Sequence, residues 1–237
     1  RDTKLVAAEN GYGALMASLK PTAKLPGKKA AIIGGGPTGI AAAYFLARGG
    51  VETTIFEREA KLGGVPRYVI PAFRISDEAL DKDVALMERL GVEVKCGAPA
   101  PSVEELKKMG YTHILMATGA WQAGELGIPG NVKGVIGWMK EMKTQVKPCL
   151  EGHVVVVGAG NTAMDAARVA KRMGAASSTL VYRRTKKEMP ADEHELKLAI
   201  DEGVQLVELA APVEQKDGKL ICNKMKLGEP DASGRRS

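Results

Sequence analysis

The sequence predicts an α/β fold built from two βαβ units, each with a parallel sheet. Three observations predict it. Segments 28–59 and 153–184 repeat one plan: apolar strand, Gly-rich turn, Ala-rich helix, short loop, second apolar strand. Each turn spaces its small residues so that a strand can run directly into a helix packed against it. The composition, 45% hydrophobic and 26% charged with 28 glycines in 237 residues, suits α/β units joined by tight turns. Strand–helix–strand crossovers of this kind are right-handed almost without exception.

The elements follow in chain order. Residues 1–27, with Gly11, Gly13, Pro21 and Pro26 in a mixed apolar pattern, read as a lead-in segment packed on the first domain. The first domain is expected over 28–122. After Glu57, the glycines and prolines of "REAKLGGVPRYVIPAFRI" predict an ordered loop and no helix. Residues 76–90 form an amphipathic helix with Leu80, Val84, Met87 and Leu90 on one stripe. A strand is expected over 92–95, a capping-box helix from Ser102-Val103-Glu104-Glu105, and an apolar strand over 112–120. Residues 123–150 are a Gly- and Pro-rich connection, and the second domain is expected over 151–237. After its βαβ unit come a loop, a helix, the next parallel strand in "VQLVEL" and a hairpin around Asp217-Gly218. The last ten residues are polar and turn-rich.

The first turn, Gly34-Gly35-Gly36-Pro37-Thr38-Gly39, is a full GxGxxG. Gly34 allows the tight turn, Gly36 lets backbone approach a pyrophosphate, and Gly39 lets the helix lie close on the strand. The helix beginning near Pro37 offers free N–H groups and a positive dipole end to phosphate. Glu57 closes the second strand, where a carboxylate accepts hydrogen bonds from ribose hydroxyls. Strand, turn, helix, second strand and acid in this order form a Rossmann-like dinucleotide fingerprint. The plainer alternative is a Gly-rich turn of another α/β protein.

The second turn, Gly158-Ala159-Gly160-Asn161-Thr162-Ala163, is GxGxxA, and Asp165 is expected in the first turn of the following helix, where the dipole favours it. The place matching Glu57 falls at Tyr182-Arg183-Arg184, without an acid. A carboxylate there would repel a ribose 2′-phosphate, whereas Arg183 and Arg184 offer forked, charge-assisted hydrogen bonds to one. The second unit therefore reads as NADPH-selective. The alternative is a pair of arginines simply reaching solvent at a strand end.

Lys and Arg outnumber Asp and Glu, 34 to 28, but the charges are interleaved and no basic run reaches five residues, so nucleic acid is disfavoured and anionic cofactors are preferred. Cys96, Cys149 and Cys222 are scattered, with no CxxC or CxxxxC pair, and the three histidines show no metal spacing. No metal site is therefore assigned. No apolar run is long enough for a membrane span, and no signal peptide is evident. A cytoplasmic location is expected. Because the sequence starts at Arg1, it is expected to begin inside a longer polypeptide.

Several strings together resemble the FAD/NADPH module of the glutamate synthase small subunit, which dihydropyrimidine dehydrogenase and the selenate reductase iron–sulphur subunit also carry. They are "GGGPTGIAAA", "FERxxxLGG", "IPAFR", "ATG", "LGIPG", "GAGNTAMDAAR" and "YRR…EMPA", spread over residues 28–237. The resemblance implies a two-dinucleotide-binding flavoprotein. Gly34, Gly36, Pro37, Thr38 and Gly39 would hold the FAD pyrophosphate, Glu57 and Arg58 its adenosine end, and Gly64 with Ile70–Arg74 would lie beside the flavin. Thr118 and Gly119 would touch the same cofactor. Gly158, Gly160, Asn161, Thr162 and Asp165 would serve the NADPH pyrophosphate and nicotinamide, Arg183 and Arg184 the 2′-phosphate, and Met189-Pro190-Ala191 the adenine side.

In that family the FAD domain is split and is completed by a Gly-Asp stretch after the NADPH domain. The sequence stops at Ser237, before such a return, so the FAD domain is expected to be incomplete at its C-terminus. The partners implied are the remaining parts of the same polypeptide, including an iron–sulphur domain, and a catalytic subunit or acceptor protein.

The function expected is hydride transfer from NADPH to flavin, with electrons passed on to iron–sulphur clusters elsewhere. The flavin supplies the chemistry, so no catalytic side chain is assigned. A disulphide reductase is disfavoured by the missing cysteine pair, and a flavin monooxygenase or amine oxidase by the lack of a segment for a substrate-pocket domain. The alternative from another class is a non-catalytic nucleotide-binding or docking module on the same fold.

Overall fold

A computed structural model describes residues 2–122, 124–145 and 149–229. The chain divides into two compact units, Arg1–Ala120 and Trp121–Ser237.

The first unit holds a four-stranded parallel sheet in the order β3-β2-β1-β4, from β1 (Lys29–Ile33), β2 (Glu52–Glu57), β3 (Glu93–Cys96) and β4 (His113–Met116). Ile33 pairs with Phe56, which brings the C-terminal ends of β1 and β2 level at the Gly-rich turn. The crossover is α2 (Pro37–Arg48), whose buried residues Gly39, Ala43 and Ala47 recur every four positions and form one sheet-facing stripe. Because these residues are small, the helix can approach the strands closely. Ile32, Ile55 and Met87 are fully buried at the centre of the core, each contributing about 1.5–3 kcal/mol relative to exposure.

Helix α1 (Asp2–Ser18) occupies most of the lead-in segment. It has no apolar stripe, which is why the sequence did not announce it, and Leu5, Val6 and Leu15 are exposed. Only the following Leu19 joins the core cluster. The expectation of a loop without helix after Glu57 is corrected, because Gly64–Tyr68 forms a short helix, α3. Pro66 lies within its first turn, where the missing N–H is tolerated.

Helix α4 (Asp77–Glu88) starts where the Ser76 hydroxyl accepts the Ala79 N–H at 3.2 Å. Helix α5 (Val103–Lys108) carries the expected capping box: Ser102 Oγ accepts from the Glu105 N–H, and Glu105 accepts from the Ser102 N–H at 2.8 Å.

The second unit opens with α6 (Val135–Thr144), a helix within the stretch read as a bare connection. Its parallel sheet, order β5-β6-β7, comprises β5 (His153–Val157), β6 (Ser177–Val181) and β7 (Val204–Val207). The crossover α7 (Asn161–Arg172) is buried without interruption from Ala163 to Ala170. Helix α8 (Glu193–Asp201) is capped by Asp192, whose Oδ1 accepts the His194 N–H at 2.8 Å. The hairpin β8 (Ala210–Lys216) and β9 (Lys219–Lys224) turns at Asp217-Gly218, both with positive φ, as the sequence predicts.

Among the described residues no helix is long and apolar enough to cross a membrane, and no group of His, Cys, Asp or Glu is arranged to hold a metal ion.

Candidate functional site

In each unit a candidate site lies at the Gly-rich turn between its first strand and crossover helix. In the first unit Gly34 (φ 108°) donates its N–H to Phe56 O at 2.9 Å. A Cβ on Gly34 would overlap the Ala117 carbonyl and come within 3.2 Å of Thr118 Cα, so Thr118 lies against the turn. A Cβ on Gly39 would overlap the Gly34 carbonyl oxygen. Gly39 is therefore required for the helix to sit where it does.

Glu57 is buried and already engaged by the chain. Its Oε2 accepts the Gly35 N–H at 2.6 Å and its Oε1 the Glu59 N–H at 2.9 Å. Each carboxylate oxygen keeps a further lone-pair site, so Glu57 shapes the turn while retaining capacity for a ribose hydroxyl. Arg58 is exposed, and its Nε lies 3.6 Å from Glu59 Oε1. Cys96, level with Glu57 on the neighbouring strand, has its thiol pushed up by burial and by the charges of Glu57 and Glu88.

The segment after β2 folds back onto the turn. Gly63 N–H donates to Gly35 O at 2.7 Å, and a Cβ on Gly64 would lie 2.8 Å from Gly36 Cα. The structure thus brings together Gly34, Gly36, Gly39, Glu57, Gly64 and Thr118, with Pro37 and Thr38 exposed at the helix start and Gly119 next in the chain. Ile70 and Arg74 stand on a separate turn, held by Ile70 N–H on Val65 O and Arg74 N–H on Pro71 O.

The second site repeats this plan with different chemistry. Gly158 (φ 137°) donates to Val181 O at 3.0 Å, as Gly34 does to Phe56. Val157 pairs with Val181 where Ile33 pairs with Phe56, so this crossover is one residue longer. Tyr182 is therefore the structural counterpart of Glu57, Arg183 of Arg58, and Arg184 of Glu59. The first site presents Glu-Arg-Glu at its strand end and the second Tyr-Arg-Arg. Arg183 is exposed, whereas Arg184 is half-buried with an Nε that has no hydrogen-bond partner. A buried donor left unmade costs about 1–3 kcal/mol, which an anionic ligand would relieve.

The return segment is also repeated: Ala191 N–H donates to Ala159 O at 3.2 Å, and Pro190 Cγ lies 4.0 Å from a Cβ placed on Gly160. Asn161 and Thr162 are exposed at the helix start. The placing of Asp165 in the first turn is corrected: the helix begins at Asn161, so Asp165 opens the second turn, where it is buried.

Helices α4, α5 and α8 are capped by side chains of their own. Helices α2 and α7 have glycine N-caps, Gly36 and Gly160, and no side-chain cap. α3 and α6 also start at glycines, Gly63 and Gly134, without a side-chain cap, but neither is by itself the crossover between paired parallel strands, as α2 and α7 are. The free N–H groups of α2 and α7 are thus left to an external acceptor, which suits phosphate.

At the C-terminal end of α7, Glu202 accepts hydrogen bonds from Arg168 Nη2 at 2.7 Å and Arg172 Nη2 at 2.6 Å. The Arg172 hydrogen bond, with that of Arg168, holds the carboxyl down to about 2. Arg168 is buried and also lies 3.6 Å from Glu195, so ion pairs join the C-terminal half of α7 to α8 and its C-cap.

Two parallel-sheet units, each with a glycine turn feeding an uncapped helix, define a two-dinucleotide fold of Rossmann-like units. Residues 28–229 match the pyridine nucleotide-disulphide oxidoreductase family, and the chain belongs to it. It is 41% identical to "Putative oxidoreductase YgfK" of Escherichia coli (strain K12), covering 100% of this chain and 24% of that protein. It is 33% identical to the glutamate synthase [NADPH] small chain of the same organism, covering 97% of this chain and 53% of that one, which bears out the resemblance read from the sequence. The chain therefore spans about a quarter to a half of the length of these curated relatives. Thioredoxin reductase of Lactococcus lactis shares the fold, with a TM-score of 0.58 at 22% identity over 89% of this chain and 73% of that one.

The return segments were named only through the family resemblance, as Gly64 and Met189-Pro190-Ala191, and their backbone bonds to Gly35 and Ala159 had no local signal. The paired Gly63-Gly64 signalled the first as a turn but not what it touches. For Tyr182 the signal was within one residue, and the longer second crossover hid it.

Proposed function

We propose that the chain is the NADPH-dependent flavin module of a larger electron-transfer enzyme, with FAD at the first turn and NADPH at the second. The observation that carries the reading is the repeated uncapped glycine turn with opposite charge at its strand end, Glu57 and Glu59 in one copy and Arg183 and Arg184 in the other. The residues fit both groups. At the first turn Glu57 retains acceptor capacity for ribose and α2 presents unclaimed N–H donors. Gly34, Gly36, Pro37, Thr38 and Gly39 would surround the pyrophosphate, Glu57 and Arg58 the adenosine, and Gly64, Ile70, Arg74, Thr118 and Gly119 the rest of the cofactor. At the second, the partnerless Nε of Arg184 beside exposed Arg183 suits a 2′-phosphate. Gly158, Gly160, Asn161, Thr162 and the buried Asp165 complete that site.

Bound flavin would supply the redox chemistry, accepting electrons in pairs and releasing them singly. The chain's own residues bind and orient. In this reading the electrons leave for iron–sulphur clusters on parts of the polypeptide or partner outside this chain, in the cytoplasm. The name "glutamate synthase [NADPH] small chain" of one relative supports the choice of NADPH.

The test uses the full-length protein. It should be yellow as purified, and NADPH added without oxygen should bleach it. A colourless protein, or a yellow one indifferent to NADPH, would favour the non-catalytic binding module instead.

A further inference from the structure

We infer that Arg67 is a positioning residue for the first glycine turn, acting through a single peptide unit; the inference rests on the reading of that turn as the flavin-nucleotide site. Arg67 stands on α3 with 5% of its surface exposed. Its Nε donates to Leu62 O, its Nη2 to Asp81 Oδ1, and its Nη1 lies 3.6 Å from Asp77 Oδ2. Asp77 and Asp81 belong to the first turns of α4.

Burying a guanidinium is costly unless it is paired and hydrogen-bonded. Here the pairing has a direction. The Leu62 carbonyl and the Gly63 N–H belong to the same peptide group. The carbonyl accepts from Arg67, while the N–H donates to Gly35 O at 2.7 Å. Gly35 in turn donates its own N–H to Glu57 Oε2 at 2.6 Å. A relay therefore runs from Asp81 through Arg67 and the 62–63 peptide to the Gly35 carbonyl, and Glu57 holds the same residue from its other side through the N–H of the 34–35 peptide. A cation on the carbonyl polarises the peptide and strengthens the bond its N–H makes.

Gly63 is also shaped for this role. A Cβ there would lie 2.8 Å from Arg67 Cβ and 3.0 Å from its Nε, so only glycine leaves room for the arginine. The second turn has a backbone bond from its return segment, Ala191 to Ala159, but the counterpart of Glu57 is Tyr182, whose hydroxyl donates to Glu188 O. Arg67 thus holds Gly35 in register before any nucleotide arrives, and the first turn is preorganised.

The experiment compares Arg67→Met, Arg67→Lys and Asp81→Asn in the full-length protein. Flavin release from the holoenzyme, followed by fluorescence, should be about tenfold faster in Arg67→Met, the scale of one charge-assisted hydrogen bond. NADPH affinity should be unchanged. Amide exchange should rise at residues 34–36 and 62–64 and not across the rest of the unit. Arg67→Lys should not rescue, because an ammonium cannot reproduce the fork. Asp81→Asn, on an exposed partner that tolerates replacement, should move both readouts the same way by less. Wild-type flavin release, or exchange rising evenly throughout the unit, would overturn the inference. If the full-length protein holds no flavin, the proposed function falls, while the exchange pattern still decides whether Arg67 holds the turn.

Discussion

The two glycine turns share a topology and differ in how the chain closes them. Gly35 in the first is bonded through both its N–H and its carbonyl, to Glu57 and Gly63. The matching Ala159 receives one longer bond, from Ala191. A glycine backs the first turn and a proline ring the second, at similar distances: 3.8 Å from a Cβ placed on Gly36 to Gly64, and 4.0 Å from a Cβ placed on Gly160 to Pro190. The strand ends carry two carboxylates around one guanidinium in the first case and two guanidinium groups with no carboxylate in the second. One scaffold thus closes its glycine turn in two ways, by altering a few backbone bonds and the sign of the charge at the strand end.

The comparison can be broken most forcefully at the third small residue of each turn. Gly39→Ala should destabilise the first unit by about 3 kcal/mol, because the added Cβ overlaps the Gly34 carbonyl. The reciprocal Ala163→Gly should cost only about 1 kcal/mol. Thermal melts of both variants check the asymmetry, and equal losses would show that the helices approach their strands alike.

The charge contrast comes next. Arg183→Ala with Arg184→Ala should weaken NADPH binding roughly a hundredfold, the scale of two charge-assisted hydrogen bonds, and NADH binding far less. Parallel titrations with both nucleotides decide it; an equal loss removes the phosphate assignment.

The ion pairs that join the C-terminal half of α7 to α8 give a pH signature. Glu202 has a folded pKa of about 2, depressed from its usual 4.5 by Arg172 and Arg168. A depressed carboxylate contributes stability that is full above its unfolded pKa and is lost as pH falls through the folded one. The second unit should therefore lose on the order of 2 kcal/mol between about pH 4.5 and 2, after allowance for solvent screening. Glu202→Gln should flatten that part of its stability profile in acid denaturation.

The smallest effect serves as a control. Ser102→Ala, which removes half of the capping box on α5, should cost the first unit about 1 kcal/mol and leave flavin retention unchanged. Loss of flavin in this variant would mean that retention follows overall stability and not the turn.

Features governed by local chemistry were readable in the sequence. Ser76 and Ser102 start their helices as their spacing to Ala79 and Glu105 requires, and Asp217-Gly218 makes the hairpin turn. Features governed by distant partners were not. Helix α3 is flanked by glycine and contains proline, so local reasoning favours a loop; Arg67 instead ties it to acids ten and fourteen residues further on. Asp165 was misplaced because Gly160, not a later residue, caps α7. The candidate sites were readable as turns and strand ends, but their closure by residues 63 and 191 depends on backbone hydrogen bonds between segments far apart in sequence.

The uninterrupted burial of α7 has an evolutionary consequence. Helix α2 exposes Ala41, Phe45 and Arg48, a recurring face that tolerates substitution more readily than its buried Gly39, Ala43 and Ala47. Helix α7 offers no such face between Ala163 and Ala170. Drift should therefore be periodic along the first crossover and nearly arrested along the second, so that related sequences diverge faster around one helix than around its twin.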